Sequence, residues 1–376
     1  MDSMYSSPIS QRSCSDVSGL PTREIAYRGL VGKDSFSPLV TIVIPMFNTP
    51  TNYLRKCLST FKKKPDDRIE LVVVDDGSDH ENVENLRQLL AQVKVPYRLI
   101  TQRNGGQNAA RNRGIAASRG EYLMFLDSDD YLDLSALSYV LDTLERLKPQ
   151  MLGFNYRVIS STGEIIHEWH WYEGNGDQVD KRRVLLTSSS LYSQVYSKTL
   201  FADGYRFVVG PRVGEDLASV VPLILRANPF VALDCVVYNY VQHRPSITHS
   251  NDPEMAYDIL DSFDQLLGRL SKEELADFHD EIEWLCILHV LYFGSTRALA
   301  SGSAARRDAS RLRAYLACHF PNWRNNPILA KEWDSHGLGF KVLLNGHPYL
   351  YLLLHGLNKA RKNMLHKCEI NHEKAQ

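Results

Sequence analysis

From Leu39 the chain alternates between short apolar, β-branched runs and stretches with helical spacing. Leu39-Val40-Thr41-Ile42-Val43-Ile44 ends at Pro45 and reads as a buried strand. Residues 51–62 follow, with Tyr53, Leu54, Cys57, Leu58 and Phe61 spaced along one helix face. Residues 69–74 form a second apolar strand that runs into Asp75-Asp76-Gly77-Ser78. Asp79 is placed to cap the next helix, whose stripe is Val83, Leu86, Leu89 and Leu90. Residues 97–101 read as a third strand, and Gly105-Gly106 opens a helix through Ile115. Residues 122–126 are a fourth strand, ending in Asp127-Ser128-Asp129-Asp130. This alternation predicts βαβ units, hence an α/β fold with a mostly parallel sheet flanked by helices. Such sheets bind ligands outside the carboxyl ends of their strands, and each polar cluster falls at one of those ends.

Past Pro149 the pattern loosens. Residues 151–159 and 164–170 suit a hairpin around Ser161-Thr162-Gly163, residues 215–227 a helix, and residues 231–241 a strand. From about Pro253 helical spacing dominates, over 257–270, 280–300 and 304–319, which predicts a C-terminal helical appendage. Residues 1–37 are poor in apolar side chains and carry nine serines, so they read as a disordered tail. The expected division is 1–37 tail, 38–250 α/β domain and 251–376 helical region.

Composition narrows the class. Of 376 residues, 44% are hydrophobic and 23% charged, which excludes collagen-like, coiled-coil and wholly disordered chains. Lys and Arg number 43 against 44 Asp and Glu, so no bulk positive field holds nucleic acid, and no nucleic-acid partner is expected. Six cysteines without a CxxC pair suit reduced thiols in a cytoplasmic protein, rather than a disulfide framework or a zinc site. The start, Met1-Asp2-Ser3-Met4-Tyr5, has no basic segment leading into an apolar run, so no secretory signal is expected. The longest apolar stretch, residues 284–294, is 11 residues and contains His289, whereas a spanning helix needs about 18. The expectation is a cytoplasmic protein, at most peripheral to a membrane.

The polar clusters carry the chemistry. Asp127-x-Asp129, directly after a buried strand, offers two carboxylates to a hard divalent cation such as Mg²⁺ or Mn²⁺, although the same pair also suits a plain turn. An aspartate of Asp75-Asp76-Gly77-Ser78 could accept a hydrogen bond from a nucleobase, or the four residues could simply lead into a helix. Asn104-Gly105-Gly106 and Arg111-Asn112 add glycines for close backbone approach and side-chain donors. These glycines match neither the G-x-G-x-x-G nor the G-x-x-x-x-G-K-[ST] pattern.

Four of these segments together resemble glycosyltransferase family 2: Thr41-Ile42-Val43-Ile44-Pro45-Met46-Phe47-Asn48, Val72-Val73-Val74-Asp75-Asp76-Gly77-Ser78, Asn104-Gly105-Gly106 through Arg111-Asn112, and Phe125-Leu126-Asp127-Ser128-Asp129-Asp130. The resemblance implies a GT-A fold and inverting sugar transfer from a nucleotide-sugar donor, expected to be a UDP-sugar. It implies that Pro45, Phe47, Asp76, Asn104 and Arg111 line the nucleoside pocket. Asp127 would face the ribose and metal, and Asp129 would be the main ligand of Mn²⁺ or Mg²⁺. Further along, Gly214-Glu215-Asp216 is similar to the family's acceptor-side acidic pair, which makes Asp216 the expected base and Glu215 the next candidate. Tyr238-x-Tyr240 and Arg244-Pro245-Ser246-Ile247-Thr248 resemble a loop over the diphosphate, with Arg244 and Ser246 as phosphate ligands and His249 as a further metal candidate.

No Gln-x-x-Arg-Trp motif is present. A transferase adding one or a few sugars to a glycan or lipid-linked carrier in surface polysaccharide synthesis is therefore expected, rather than a processive synthase. A metal-dependent nucleotidyltransferase and an inactive sugar-binding module are the alternatives. Beyond the apolar residues 350–354, five basic residues (Lys359, Arg361, Lys362, Lys367 and Lys374) stand against Glu369 and Glu373. A helix of that kind lies on an anionic membrane or docks on the domain.

Overall fold

The structure, a computed structural model, describes residues 23–28, 37–62, 66–187, 190–242, 255–300 and 305–354. Its strands are β1 (Arg23–Arg28), β2 (Val40–Met46), β3 (Ile69–Asp75), β4 (Tyr97–Thr101), β5 (Tyr122–Phe125), β6 (Tyr131–Leu132), β7 (Met151–Ser160), β8 (Ile165–Trp169), β9 (Asn175–Gln178), β10 (Gln194–Ser197) and β11 (Phe230–Gln242). They form one sheet in the order β1-β4-β3-β2-β5-β10-β7-β11-β6, with β8 on β7 and β9 on β11. The stretch β4-β3-β2-β5 is parallel, as the βαβ pattern predicts. Beyond it β10 inserts antiparallel between β5 and β7, and β7 pairs parallel with β11. The β7–β8 hairpin forms where expected. β1 lies inside the stretch read as a tail and pairs antiparallel with β4.

Alternation along the strands sends successive side chains to opposite faces. Ile42, Ile44, Leu71, Val73 and Met124 go to one face. They pack against α1 (Thr51–Cys57), α2 (His80–Leu90) and α4 (Leu134–Leu147). Val43, Leu123 and Phe125 go to the other, toward Ile115 of α3 (Gln107–Ala117) and the apolar stripe of α6 (Glu215–Arg226). The same core continues without a break into the C-terminal helices through Ile282, Trp284, Leu285, Ile287 and Leu291. The helical region is thus packed against the sheet's α6 face. Its helices include α7 (Met255–Arg269), α8 (Lys272–Asp277), α9 (His279–Cys286), α10 (Ser295–Ala300) and α11 (Ala305–His319). The helix expected over 280–300 forms, but residues Ile287–Gly294 within it are π-helical. Between α4 and α6 lies α5 (Lys181–Thr187), and α12 (Pro327–Glu332) and α13 (Leu338–Leu344) follow α11. Among the described residues no helix is long and apolar enough to cross a membrane.

Asp79 precedes α2 but makes no side-chain cap. Its backbone N–H instead donates to Asn48 Oδ1 at 2.9 Å, tying the end of β2 to the start of α2.

Candidate active site

The polar clusters gather at the carboxyl ends of β2, β3 and β5. Pro45 is buried within β2, whereas Phe47, just past its end, is 53% exposed. Asp76 is 2% exposed, and both its oxygens already accept hydrogen bonds. Oδ1 accepts from Gln102 Nε2 at 2.7 Å and from the Gly105 N–H at 2.9 Å, and Oδ2 from the Gly106 N–H at 2.8 Å. These bonds hold the glycine loop and Gln102 against the end of β3. Gly106, with φ of 90°, takes a conformation few other residues tolerate, and this turns its N–H toward the carboxylate. Asn104 is exposed on the same loop, beside Gly77 at the end of β3.

Arg111 projects from the first half of α3 and is 3% exposed. Its Nη2 donates to Asp127 Oδ1 at 2.9 Å, and Nη1 to Asp216 Oδ1 at 3.2 Å and to Asn108 Oδ1 at 2.9 Å. One guanidinium thereby joins the loop after β5 to the first turn of α6, reaching an aspartate 105 positions from Arg111 in sequence. Burial alone would weaken its charge, but the carboxylates of Asp127 and Asp216 outweigh that and hold it protonated. Gln107 Nε2 adds a second donor to Asp127 Oδ1 at 2.9 Å.

Asp130 is 1% exposed. Its Oδ2 accepts from the Tyr238 hydroxyl at 2.7 Å and its Oδ1 from the Val241 N–H at 2.7 Å. The Tyr238 oxygen in turn accepts from the Asp127 N–H at 3.2 Å. Burial, then the neighbouring Asp129 and Asp127, push the Asp130 carboxyl well above its ordinary range. Asp130 and Tyr238 therefore fix the backbone that presents Asp127 and Asp129. Gln107, Asp130 and the Tyr238 hydroxyl have no such role in the sequence reading. The signal available was an extra aspartate beyond the Asp-x-Asp pair and a tyrosine at alternate strand positions.

Glu215 and Asp216 occupy the first turn of α6, where the helix dipole favours negative charge. Gly214, with φ of 78°, starts the helix where a side chain would collide with Ile259 of α7. Burial, and then the Asp216 carboxylate, push Glu215 up to about 7. Burial also raises Asp216, against the pull of Arg111. Asp216 lines a cavity of about 300 Å³ together with Tyr156, Trp171, Leu217 and His289. Asp216 thus lines this cavity and is also tied, through Arg111, to Asp127 at the strand ends.

The donor set at Asp127 and Asp129 consists of carboxylate oxygens, which suits Mg²⁺ or Mn²⁺. The protein donors to Asp127 fall on Oδ1, leaving Oδ2 without one among the described residues. Another His/carboxylate group, His279, Asp280 and Glu283 on α9, lies outside the crevice, and its Glu283 is bonded by Asn326 Nδ2 at 2.7 Å. Arg244, Ser246 and His249 lie outside the described residues, as do Lys359 to Lys374.

The family model of glycosyl transferase family 2 matches residues 41–201. The glycosyltransferase GlyA of Streptococcus pneumoniae is 24% identical over 62% of this chain and 34% of its own. Chondroitin synthase of Pasteurella multocida is 31% identical over 57% of this chain and 22% of its own. The chain thus spans about a third or less of the length of these two relatives. The crystal structure of S. aureus TarS 1-349 in complex with UDP-GlcNAc is similar with a TM-score of 0.54 at 16% identity, covering 83% of this chain and 89% of that one. This likeness concerns the fold, a GT-A sheet followed by helices, as the sequence resemblance implies.

Proposed function

We propose, from the match of residues 41–201 to the model of glycosyl transferase family 2, that the protein moves a sugar, with inversion, from a nucleotide-sugar donor to a hydroxyl of a glycan or carrier-linked acceptor. The observation that carries this is Arg111, which joins Asp127 on the donor side to Asp216 on the acceptor side. Inverting transfer is a direct displacement at the anomeric carbon. It needs a base at the incoming hydroxyl and charge neutralisation at the leaving diphosphate.

Asp216 is the base in this reading. It faces a cavity large enough for a sugar ring, and Glu215 next to it is the second candidate. Raised basicity from burial suits a carboxylate that must take a proton at neutral pH. Phe47 and Asn104, exposed at the strand ends, would meet the nucleoside. Asp76 would act through the glycine loop it holds. Asp127 and Asp129 would hold Mg²⁺ or Mn²⁺, which when bound supplies Lewis-acid neutralisation of the diphosphate. A UDP-sugar donor is favoured by the UDP-GlcNAc bound to TarS, and a polysaccharide pathway by the chondroitin synthase relative. Contact with a membrane surface belongs to the same reading. Tyr349, Leu350 and Leu353 are exposed ahead of the basic C-terminal segment.

The test is release of nucleoside diphosphate from a panel of nucleotide sugars with Mn²⁺. Slow release that EDTA abolishes is expected. Release of pyrophosphate from a sugar phosphate and a nucleoside triphosphate would instead favour a nucleotidyltransferase.

A further inference from the structure

The cavity at Asp216 has a wall and a floor that donor binding leaves unused. The wall is contributed by the π-helical residues Ile287–Gly294, between α9 and α10, through His289. A π-helical segment widens the turn and often marks a functional position. His289 sits in this segment and is the polar residue of the apolar stretch 284–294 that faces the cavity. Among the described residues it makes no hydrogen bond or ion pair, and its ring meets only Phe293 edge-on at 5.7 Å. Burial lowers its pKa to about 4, so at neutral pH the ring offers one donor and one acceptor.

The floor is aromatic. Tyr156 and Trp171 both line the cavity. Trp171 stacks on Trp169 at 4.7 Å with 13° between the rings, and Trp169 meets the edge of His167 at 4.2 Å. His167 is exposed, so a ladder of rings leads from the cavity out along the β7–β8 hairpin. A pyranose ring has an apolar C–H face and a rim of hydroxyls. Flat aromatic surfaces accept the first, and isolated donors and acceptors such as His289 and Asp216 accept the second.

We propose that this cavity is the acceptor subsite and that the acceptor is an oligosaccharide. Its terminal pyranose lies between Trp171 and His289 with the reacting hydroxyl toward Asp216, and the sugars before it run along Trp169 and His167. The inference rests on the glycosyl-transfer reading and adds to it the acceptor class and the residues that select it. His289 lies outside the matched residues 41–201, so the C-terminal helices take part in acceptor choice.

The test uses the full chain with UDP-sugars and Mn²⁺ on an array of mono- to tetrasaccharides, including hyaluronan and chondroitin fragments. Acceptor-independent nucleoside diphosphate release and UDP binding are measured in parallel. Transfer to saccharides that improves from mono- to trisaccharide is expected. Trp169→Ala should flatten that length dependence, and Trp171→Ala should raise the acceptor KM about tenfold, both with UDP affinity unchanged. Trp171→Phe, which keeps a ring in the core, should retain most of the affinity, and His289→Asn should raise the acceptor KM without changing donor release. Length dependence that survives Trp169→Ala would overturn the proposal. So would UDP affinity falling in step with the acceptor KM, or donor turnover with no saccharide accepting. Failure of both UDP binding and donor release would sink the glycosyl-transfer reading itself.

Discussion

Replacing Arg111 with methionine keeps much of the side-chain volume but leaves Asp127 and Asp216 without their shared cation. Breaking one partner out of a buried ion pair typically costs about 3–5 kcal/mol. Arg111 is 3% exposed, but Asp127 and Asp216 are 22% and 34% exposed, so water screens part of the loss. A penalty of about 2–3 kcal/mol is the appropriate size. At roughly 2–4 °C per kcal/mol for a large domain, Tm should fall by about 4–12 °C. The assay is a thermal-melt cycle of the full chain with Arg111→Met, Asp216→Asn and the double variant. Because Arg111 and Asp216 touch, the double variant should be less destabilised than the sum of the singles by about 1 kcal/mol. Strict additivity, or a Tm shift under about 1 °C for Arg111→Met, would refute the bridge as the element joining the two halves of the site.

Three further outcomes follow from the same geometry. Asp129→Ala should abolish Mn²⁺-dependent transfer while the far-UV spectrum and Tm stay near those of the parent, and transfer surviving both this change and EDTA would remove the metal from the site. His289 has a folded pKa of about 4, against about 6.5 when unfolded, so the unfolded chain binds the extra proton between those values. Its contribution to stability is complete above about pH 6.5 and is lost as pH falls toward 4, and His289→Asn should flatten that part of the Tm–pH curve. The full chain should sediment with anionic liposomes at low salt and dissociate at high salt, whereas a chain ending at Gly346 should stay in the supernatant; equal behaviour would make the C-terminal segment a purely structural element.

What could be read from the sequence was local. β2, β3 and β5 are apolar on both faces because helices cover both, and that pattern is visible in the chain itself. The loops at their carboxyl ends were legible for the same reason, since each follows directly from a strand. The contacts that complete the site are long-range and were not. Asp130 reads as one more turn residue until β11 brings Tyr238 to it from 108 positions away. Asp76 reads as a ligand-facing carboxylate, and nothing in the sequence announces that Gln102, Gly105 and Gly106 also donate to it. The insertion of β10 between β5 and β7 leaves no trace in hydrophobic spacing, and β1 is too polar to stand out from the serine-rich residues around it. His289 was visible as the interruption of an apolar run, but the π-helical segment that sets it on the cavity Asp216 also lines was not.

The central claim is that Asp216 takes the acceptor proton while the strand-end crevice holds the donor. Asp216→Asn tests it most directly, with UDP affinity measured by calorimetry and transfer measured on the same preparation. The account predicts an unchanged UDP dissociation constant and turnover lowered by about 10²–10⁴-fold, because a base acts in the transition state. Turnover within a few-fold of the parent, or a loss explained entirely by weaker UDP binding, would contradict it.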